Sequence, residues 1–471
     1  MVVGEIGAST GLLVIGAGPG GYAAALRGAA LGLEVTLVER DRVGGVCLNV
    51  GCIPSKVLIH AAETAALAAR SAAWGVKLTA KVDMKALGRH MAEVVEGLTS
   101  GVSGLLRDAG VTVVSGQARF TRPDRVIVEH EDHTSFISFE NAVLATGSRP
   151  VELPALAFDG ARVLDSTGAL ALERAPRRLV VVGGGYIGVE LGTAFAKLGS
   201  AVTIVEAADR LLPGLDASLA RAVARRLEEL GVVVLTRSSA VELTEAGLLV
   251  APPDGPAAEV AADKVVVAVG RRPNTDDLGL EHTGAKLDPA GLVQVAPSRR
   301  AARTLLAIGD VTAGPALAHK ATAESAVAAE TAARRTAAFD PACIPAVVFS
   351  DPELATVGLT RDAAKAAGAD VRAFRFPLSA SSRARTLGDS HGHVEVIADG
   401  DGTVLGVHIA GPNASELAGE AALAVEMAVT LDELAEVIHP HPSLSEAIGE
   451  AALGALGRPL HVRGARRPSP G

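Results

Sequence analysis

Residues 12–39 read LLVIGAGPGGYAAALRGAALGLEVTLVE, and residues 179–206 repeat the plan as LVVVGGGYIGVELGTAFAKLGSAVTIVE. Each copy runs from a short apolar strand through a Gly-rich turn and an Ala-rich helix to a second strand ending in glutamate. That is the pattern of a dinucleotide-binding βαβ unit. The glycines are Gly16, Gly18 and Gly21 in the first copy and Gly183, Gly185 and Gly188 in the second. In such a turn the first glycine reverses the chain, the second lets backbone approach a pyrophosphate, and the third lets helix pack on strand. Glu39 and Glu206 each lie 23 residues after the first glycine of their copy. That is close to the roughly 20 at which an acid meets ribose hydroxyls. One Gly-rich turn alone also precedes ordinary packed helices, but two with the same acid offset leave that bland reading little room. A carboxylate repels a 2′-phosphate, and no arginine pair follows Glu206 in VEAAD, so the second unit is expected to take NAD rather than NADP.

The rest of the chain is read outward from this repeat. At 471 residues it is long enough for two to four domains, and 49% apolar residues can fill several cores. A net charge of −9 argues against general nucleic-acid binding. No uninterrupted apolar run reaches the roughly 18 residues that read as a membrane span. MVVGEIGAST has neither a basic region nor an Arg-rich amphipathic pattern, so no targeting signal is expected. Three cysteines make no disulfide scaffold, and a cytoplasmic location is the default expectation. Helical stretches are expected over 57–107, and short strands in VTVVSGQARF, RVIVEH and FISFENAVLATG. A strand returning to the second unit is expected near 265–271. From about 346, strands in AVVFS, HVEVIAD and TVLGVHIAG precede two Ala-rich helices. The basic, Pro-rich tail RGARRPSPG is expected to be a solvated, disordered end.

Two constellations carry chemistry. Cys47 and Cys52 stand in GGVCLNVGCIPSK. They could be two inert core residues. If they form a disulfide, an ideal helix cannot hold them, because five residues rise about 7.5 Å and a disulfide needs Cα atoms within about 4.4–6.8 Å. Gly51 and Pro54 can bend the segment, and a helix start together with Lys56 would favour thiolate. Cys343, in DPACIP, has no nearby partner and reads as structural. His441 in HPHPSLSE, with Glu446 five residues on, has the form of a base and its orienting acid. His439 and His441 could equally be surface histidines, and too few further ligands cluster there for a metal site.

These motifs together resemble the pyridine nucleotide–disulfide oxidoreductases over about residues 10–460, and most closely the branch that oxidises dihydrolipoyl groups. The resemblance implies an α/β fold with two Rossmann-like domains, for FAD and NAD, and a C-terminal α+β dimerisation domain. The implied boundaries are 1–150 and 275–345 for the two parts of the FAD domain, 151–274 for the NAD domain and 346–471 for the dimerisation domain. FAD contacts would be Gly16, Gly18, Gly21, Glu39, Lys56, Ala118, Thr146, Gly147, Ser148, Asp310, Ala316, Leu317, Ala318 and His319. NAD contacts would be Gly183, Gly185, Gly188, Glu190, Glu206, Val241 and Gly270, with Glu190 also resembling the acid that pairs with Lys56.

The implied mechanism is a relay. His441, held by Glu446 and supplied by the second subunit of a homodimer, would take a proton from a dihydrolipoyl thiol. The thiolate would attack Cys47, and Cys52 would leave facing the flavin. The arm would come from a lipoyl domain of a 2-oxo acid dehydrogenase or glycine-cleavage complex. Mercuric reductase activity is disfavoured by the lack of a terminal cysteine pair, glutathione reductase activity by Glu206, and transhydrogenase activity by the presence of both cysteines. A non-catalytic flavoprotein is disfavoured by the intact cysteines, histidine and glutamate. Departures from the family pattern are Val46 for Thr, Ser443 for Thr, and SDPE, with Asp351, where HPE is frequent. Tyr186 resembles a tyrosine that gates the nicotinamide pocket in glutathione reductase.

Overall fold

The computed structural model describes residues 7–463, so all but the first residue of the expected loose tail lies outside the described residues. The first repeat forms β1 (Gly7–Ile15), α1 (Pro19–Ala30) and β2 (Val35–Glu39). Then come α2 (Gly45–Val50), α3 (Cys52–Arg70), α4 (Met84–Asp108), β3 (Thr112–Ser115), β4 (Gln117–Arg122), β5 (Arg125–Glu129) and β6 (Thr134–Leu144). The sheet order is β3-β2-β1-β6-β5-β4. Strands β1, β2, β3 and β6 run parallel, whereas β4 and β5 form an antiparallel extension. Much later the chain returns to this sheet, where Leu305–Ala307 pairs in parallel with the end of β6.

Strand β1 shows why its sequence is a nearly unbroken apolar run. Leu13 and Ile15 enter the core beneath β4 and β5, and Leu12 and Val14 enter the core beneath α1. A strand covered on both faces needs apolar residues at every position. Each side chain so buried contributes roughly 1.5–3 kcal/mol.

The second repeat builds a parallel sheet in the order Val233–Leu235, Ala201–Val205, Arg178–Val182, Lys264–Val267 and Val163–Leu164. The expected return strand near 265 is therefore present. A three-stranded antiparallel sheet (Ser239–Leu243, Gly247–Ala251, Ala258–Ala261) is appended to it. The C-terminal part is a five-stranded antiparallel sheet, ordered Ala346–Val348, Leu354–Gly358, Val404–Ala410, His393–Ala398 and Arg372–Pro377. Helices Ala414–Glu426 and Glu446–Ala455 pack on it.

One stretch, Gly45–Trp74, is long and apolar enough by average composition to cross a membrane, although it contains no unbroken apolar run. Its helix breaks at Gly51, carries both Cys47 and Cys52, and packs on α4 and on helix Tyr186–Lys197.

The SDPE departure has a structural role. Asp351 is buried between Lys197 at 2.7 Å and Arg226 at 3.0 Å, and Lys197 also meets Glu63 of α3. Burial alone would raise the Asp351 carboxyl pKa, but the two cations hold it below the ordinary range. This buried cluster fastens the redox helix, the second Rossmann unit and the C-terminal sheet to one another.

Candidate active site

The redox segment is shaped by glycines at two points. Gly44 and Gly45 take φ of +97° and +57°, and a Cβ on Gly45 would lie 2.7 Å from the Cα of Gly18. The redox helix can thus rest directly on the first glycine turn. Gly51, at φ −130° and ψ −105°, interrupts the helix, so Cys52 begins α3. That is the bend the spacing required.

Cys47 and Cys52 hydrogen-bond to each other through their sulfurs, and all three cysteines are free thiols. The two sulfurs are not equivalent. The hydrogen bond from Cys47 lowers the Cys52 pKa to about 7, with Lys56 adding to the effect against burial. The same bond and burial push Cys47 up. Cys52 is the thiolate of the pair and Cys47 the thiol.

Lys56 sits one turn further along α3. Its Nζ is 2.8 Å from Glu190 Oε2 and 4.5 Å above the Phe349 ring. The other oxygen of Glu190 accepts the Phe349 N–H at 2.9 Å. Glu190 is buried, so one carboxylate joins all three parts of the chain at the cysteines.

The cysteines open onto a cavity of about 270 Å³ lined also by Gly16, Gly18, Glu39, Lys56, Thr146, Gly147, Ser148, Tyr186, Glu190, Asp310, Ala316 and Ala318. A second cavity of about 330 Å³, lined by Gly116, Gln117 and Ala118, shares Gly16, Glu39, Arg40, Thr146 and Asn274 with it. Together they form an elongated trough that passes the N-terminus of α1. The residues fit FAD. Gly16 has φ +98°, a Cβ on Gly18 would meet nothing within 4 Å, and a Cβ on Gly21 would lie 1.8 Å from the Gly16 carbonyl oxygen. The turn is therefore bare toward the trough and glycine-locked behind it. Glu39 accepts the Ala17 N–H at 2.6 Å and lines both cavities.

Asp310 accepts a hydrogen bond from Ser148 Oγ at 2.6 Å. Arg271 donates to Ser148 Oγ at 2.8 Å and to its carbonyl at 2.7 Å. Asn274 donates to the Thr146 carbonyl at 2.9 Å, and Thr146 Oγ1 donates to the Asn274 carbonyl at 2.7 Å. Arg271 and Asn274 escaped the sequence reading. Arg271 opens the three-residue strand Arg271–Pro273, which pairs with Ser148–Pro150, and Asn274 follows it directly; so short a strand shows no periodicity to mark them.

Two expected flavin contacts fall outside the trough. Leu317 caps helix Ala318–Ala332, and His319 donates through Nε2 to the Pro345 carbonyl at 2.7 Å.

The second glycine turn repeats the first. Gly183 has φ +107°, a Cβ on Gly188 would meet the Gly183 oxygen at 1.9 Å, and Gly185 is open. Glu206 accepts the N–H of Gly184 and of Ala208, each at 2.6 Å. Arg210 is turned to the Pro213 and Leu215 carbonyls, away from that carboxylate. Gly270 and Val241 are exposed on the same unit, Gly270 at φ +139°. Tyr186 begins the helix and faces the cysteine cavity, where desolvation raises its hydroxyl to about 12.

His441 and Glu446 are brought together but not to the cysteines. His441 Nδ1 is 2.8 Å from Glu446 Oε1, and Glu446 Oε2 accepts the Ser443 N–H at 2.7 Å. Partial burial works to raise the Glu446 carboxyl pKa, but these bonds hold it low. The His441 side chain is 72% exposed and lines neither cavity. Nearby Ile438 is 95% exposed.

Residues 10–325 match the pyridine nucleotide-disulphide oxidoreductase family, and residues 344–452 match the dimerisation domain of that family. The chain belongs to the pyridine nucleotide-disulphide oxidoreductases. It is 47% identical to the dihydrolipoyl dehydrogenase of Geobacillus stearothermophilus over 98% of this chain and 99% of that protein. It is 46% identical to the dihydrolipoyl dehydrogenase of Bacillus subtilis over 98% of this chain and all of that one. Among solved structures, LpdA from Mycobacterium tuberculosis superposes with a TM-score of 0.87 at 30% identity, over 94% of this chain and 99% of that one. The HOCl-induced flavoprotein disulfide reductase RclA from Escherichia coli, as its Cu(II) complex, gives 0.84 at 29% over the same shares.

Proposed function

We propose that this chain oxidises protein-bound dihydrolipoyl groups to lipoyl groups with NAD as the final acceptor, the activity of a dihydrolipoyl dehydrogenase. The observation that carries it is the cysteine pair itself: Cys47, half-buried, and Cys52, exposed, line with Lys56 the trough whose residues fit FAD. The full-length relatives named dihydrolipoyl dehydrogenase support the choice of substrate.

The cycle starts from the Cys47–Cys52 disulfide. His441 of a second copy takes a proton from one dihydrolipoyl thiol, and the thiolate attacks Cys47. The Cys47–Cys52 bond breaks and Cys52 leaves as thiolate, its charge favoured by the helix start and by Lys56. The second substrate thiol, deprotonated in turn, attacks the mixed disulfide, releasing the lipoyl disulfide and returning Cys47 to thiol. Glu446 orients His441 through the 2.8 Å contact to its Nδ1. Bound FAD would accept the electron pair of the dithiol and deliver it as hydride to NAD. Gly16, Gly18, Gly21, Glu39, Ala118, Thr146, Gly147, Ser148 and Asp310 would hold FAD, with Lys56 beside it. Gly183, Gly185, Gly188, Glu206, Val241 and Gly270 would hold NAD.

The match to a dimerisation domain supports a homodimer. His441 stands exposed beside Ile438 and outside its own chain's trough, which supports its serving the partner's cysteines. The functional units are 1–150 with 275–345 for FAD, 151–274 for NAD and 346–471 for dimerisation. The lipoyl arm belongs to a carrier domain of a 2-oxo acid dehydrogenase or glycine-cleavage complex in the cytoplasm.

Anaerobic reduction with NADH tests this reading. A long-wavelength thiolate–flavin band should appear, and dihydrolipoamide should support NAD reduction. Absence of both defeats it.

A further inference from the structure

Beneath the Gly309–Asp310 turn lies a group of charged side chains that the relay does not use. Glu324 is fully buried and Lys320 is 2% exposed, both on helix Ala318–Ala332. Glu324 Oε2 accepts the Gly309 N–H at 2.6 Å, and Oε1 meets Arg299 Nη1 at 2.8 Å and Lys320 Nζ at 3.2 Å. Lys320 Nζ donates to the Gly309 carbonyl and to Thr312 Oγ1, each at 3.1 Å. Both backbone polar groups of Gly309, itself at φ +74°, are thus held by buried ions, and the next residue is Asp310. Ion pairs placed this deep are costly, and an apolar pair of similar volume would attach the helix as well. What an apolar pair could not do is fix a left-handed turn by both its polar groups and leave charge under it. Two cations and one carboxylate leave one net positive charge against the Asp310 end of the trough.

We propose that Lys320 and Glu324 are positioning residues for the flavin: they hold the turn that presents Asp310, and the net charge they make with Arg299 sets how readily the site accepts reduced flavin. This rests on the FAD reading above. Reduced flavin is the more negative form, so added positive charge favours it and removed positive charge opposes it. The test uses holoenzyme in a Cys47→Ser, Cys52→Ser background, where the flavin is the sole redox group, equilibrated against a reference dye. Glu324→Gln should raise the ratio of reduced to oxidised flavin by about threefold or more, and Lys320→Met should lower it by a similar factor. The double variant, with its net charge restored, should return toward the parent. Arg299→Met, at a less buried position, should shift in the same direction as Lys320→Met and serves if the buried variants do not fold. Shifts of one sign in all variants, or none in any, overturn the proposal, because packing alone gives no reversal. Failure of the unmutated holoenzyme to bind FAD or oxidise dihydrolipoamide defeats the functional reading instead.

Discussion

The two glycine turns have nearly the same backbone and different surroundings. Their first glycines sit at φ +98° and +107°, their third glycines would clash with the first carbonyl at 1.8 and 1.9 Å, and their acids accept a turn N–H at 2.6 Å in both. Around the first turn, however, the redox helix rests on Gly18, and Thr146, Ser148 and Asp310 close the trough. Around the second, Val241, Val269 and Gly270 are exposed. The lesson is that the turn supplies dinucleotide recognition, whereas the neighbours decide residence. An enclosed site suits a cofactor that stays, and an open one suits a cofactor that exchanges every turnover.

The largest effect that separates the halves belongs to the cysteines, which only the first half possesses. Cys47→Ser or Cys52→Ser should lower dihydrolipoamide oxidation by roughly a thousandfold or more, while NADH still bleaches the flavin. Steady-state turnover and stopped-flow absorbance check both, and residual turnover near the parent's would break the assignment.

Next comes a matched pair. Gly21→Ala should yield protein without bound FAD, whereas Gly188→Ala should keep its yellow colour and weaken NAD binding by about tenfold to a hundredfold. Flavin content and NAD titration measure this. If both variants lose flavin, the halves are not independent. Glu206→Ala should shift the NAD to NADP preference by about tenfold toward NADP, read from kcat/KM ratios, with flavin content unchanged.

The pH behaviour of the reduced pair is a sharper probe of the first half. Because the Cys52 pKa is lowered to about 7, thiolate is lost as pH falls through that value and is full above it. Iodoacetamide alkylation of Cys52 should rise with a midpoint near 7, and Lys56→Met should move that midpoint upward. A midpoint at the ordinary thiol value would contradict the stabilisation of the Cys52 thiolate by Cys47 and Lys56. The smallest effect concerns Tyr186. Tyr186→Ala should change the hydride-transfer rate and NAD affinity a few-fold and Tyr186→Phe less than about twofold, since shape rather than the hydroxyl would do the gating. No change in either variant ends that idea.

Much of the site was legible because its signals are local. Gly16 and Gly183 are demanded by φ, Gly21 and Gly188 by contact within one turn, and the Gly51 break by the spacing of two sulfurs. Strands Leu354–Gly358 and Arg372–Pro377 were not read, because LATVG is too short to show alternation and RAFRFP ends in proline. His319 was assigned to the flavin by resemblance alone, and its side chain bonds the Pro345 carbonyl, 26 residues on. Arg271 and Asn274 act across 123 and 128 residues of chain through bonds that no spacing encodes, and the burial of the Lys320–Glu324 pair under Gly309 is not visible in its helical spacing.

The sequence by itself determined the doubled βαβ plan, the redox pair, the acid at each strand end and the histidine–glutamate pair, because each rests on spacing within a few turns of chain. Only the tertiary structure decided which sulfur carries the charge, that Glu190 reaches Lys56, and that buried ions underlie Asp310. It also left His441 exposed and outside the cysteine cavity of its own chain. Those outcomes depend on distances, burial and which side chains face one another in three dimensions, and composition and period do not specify them.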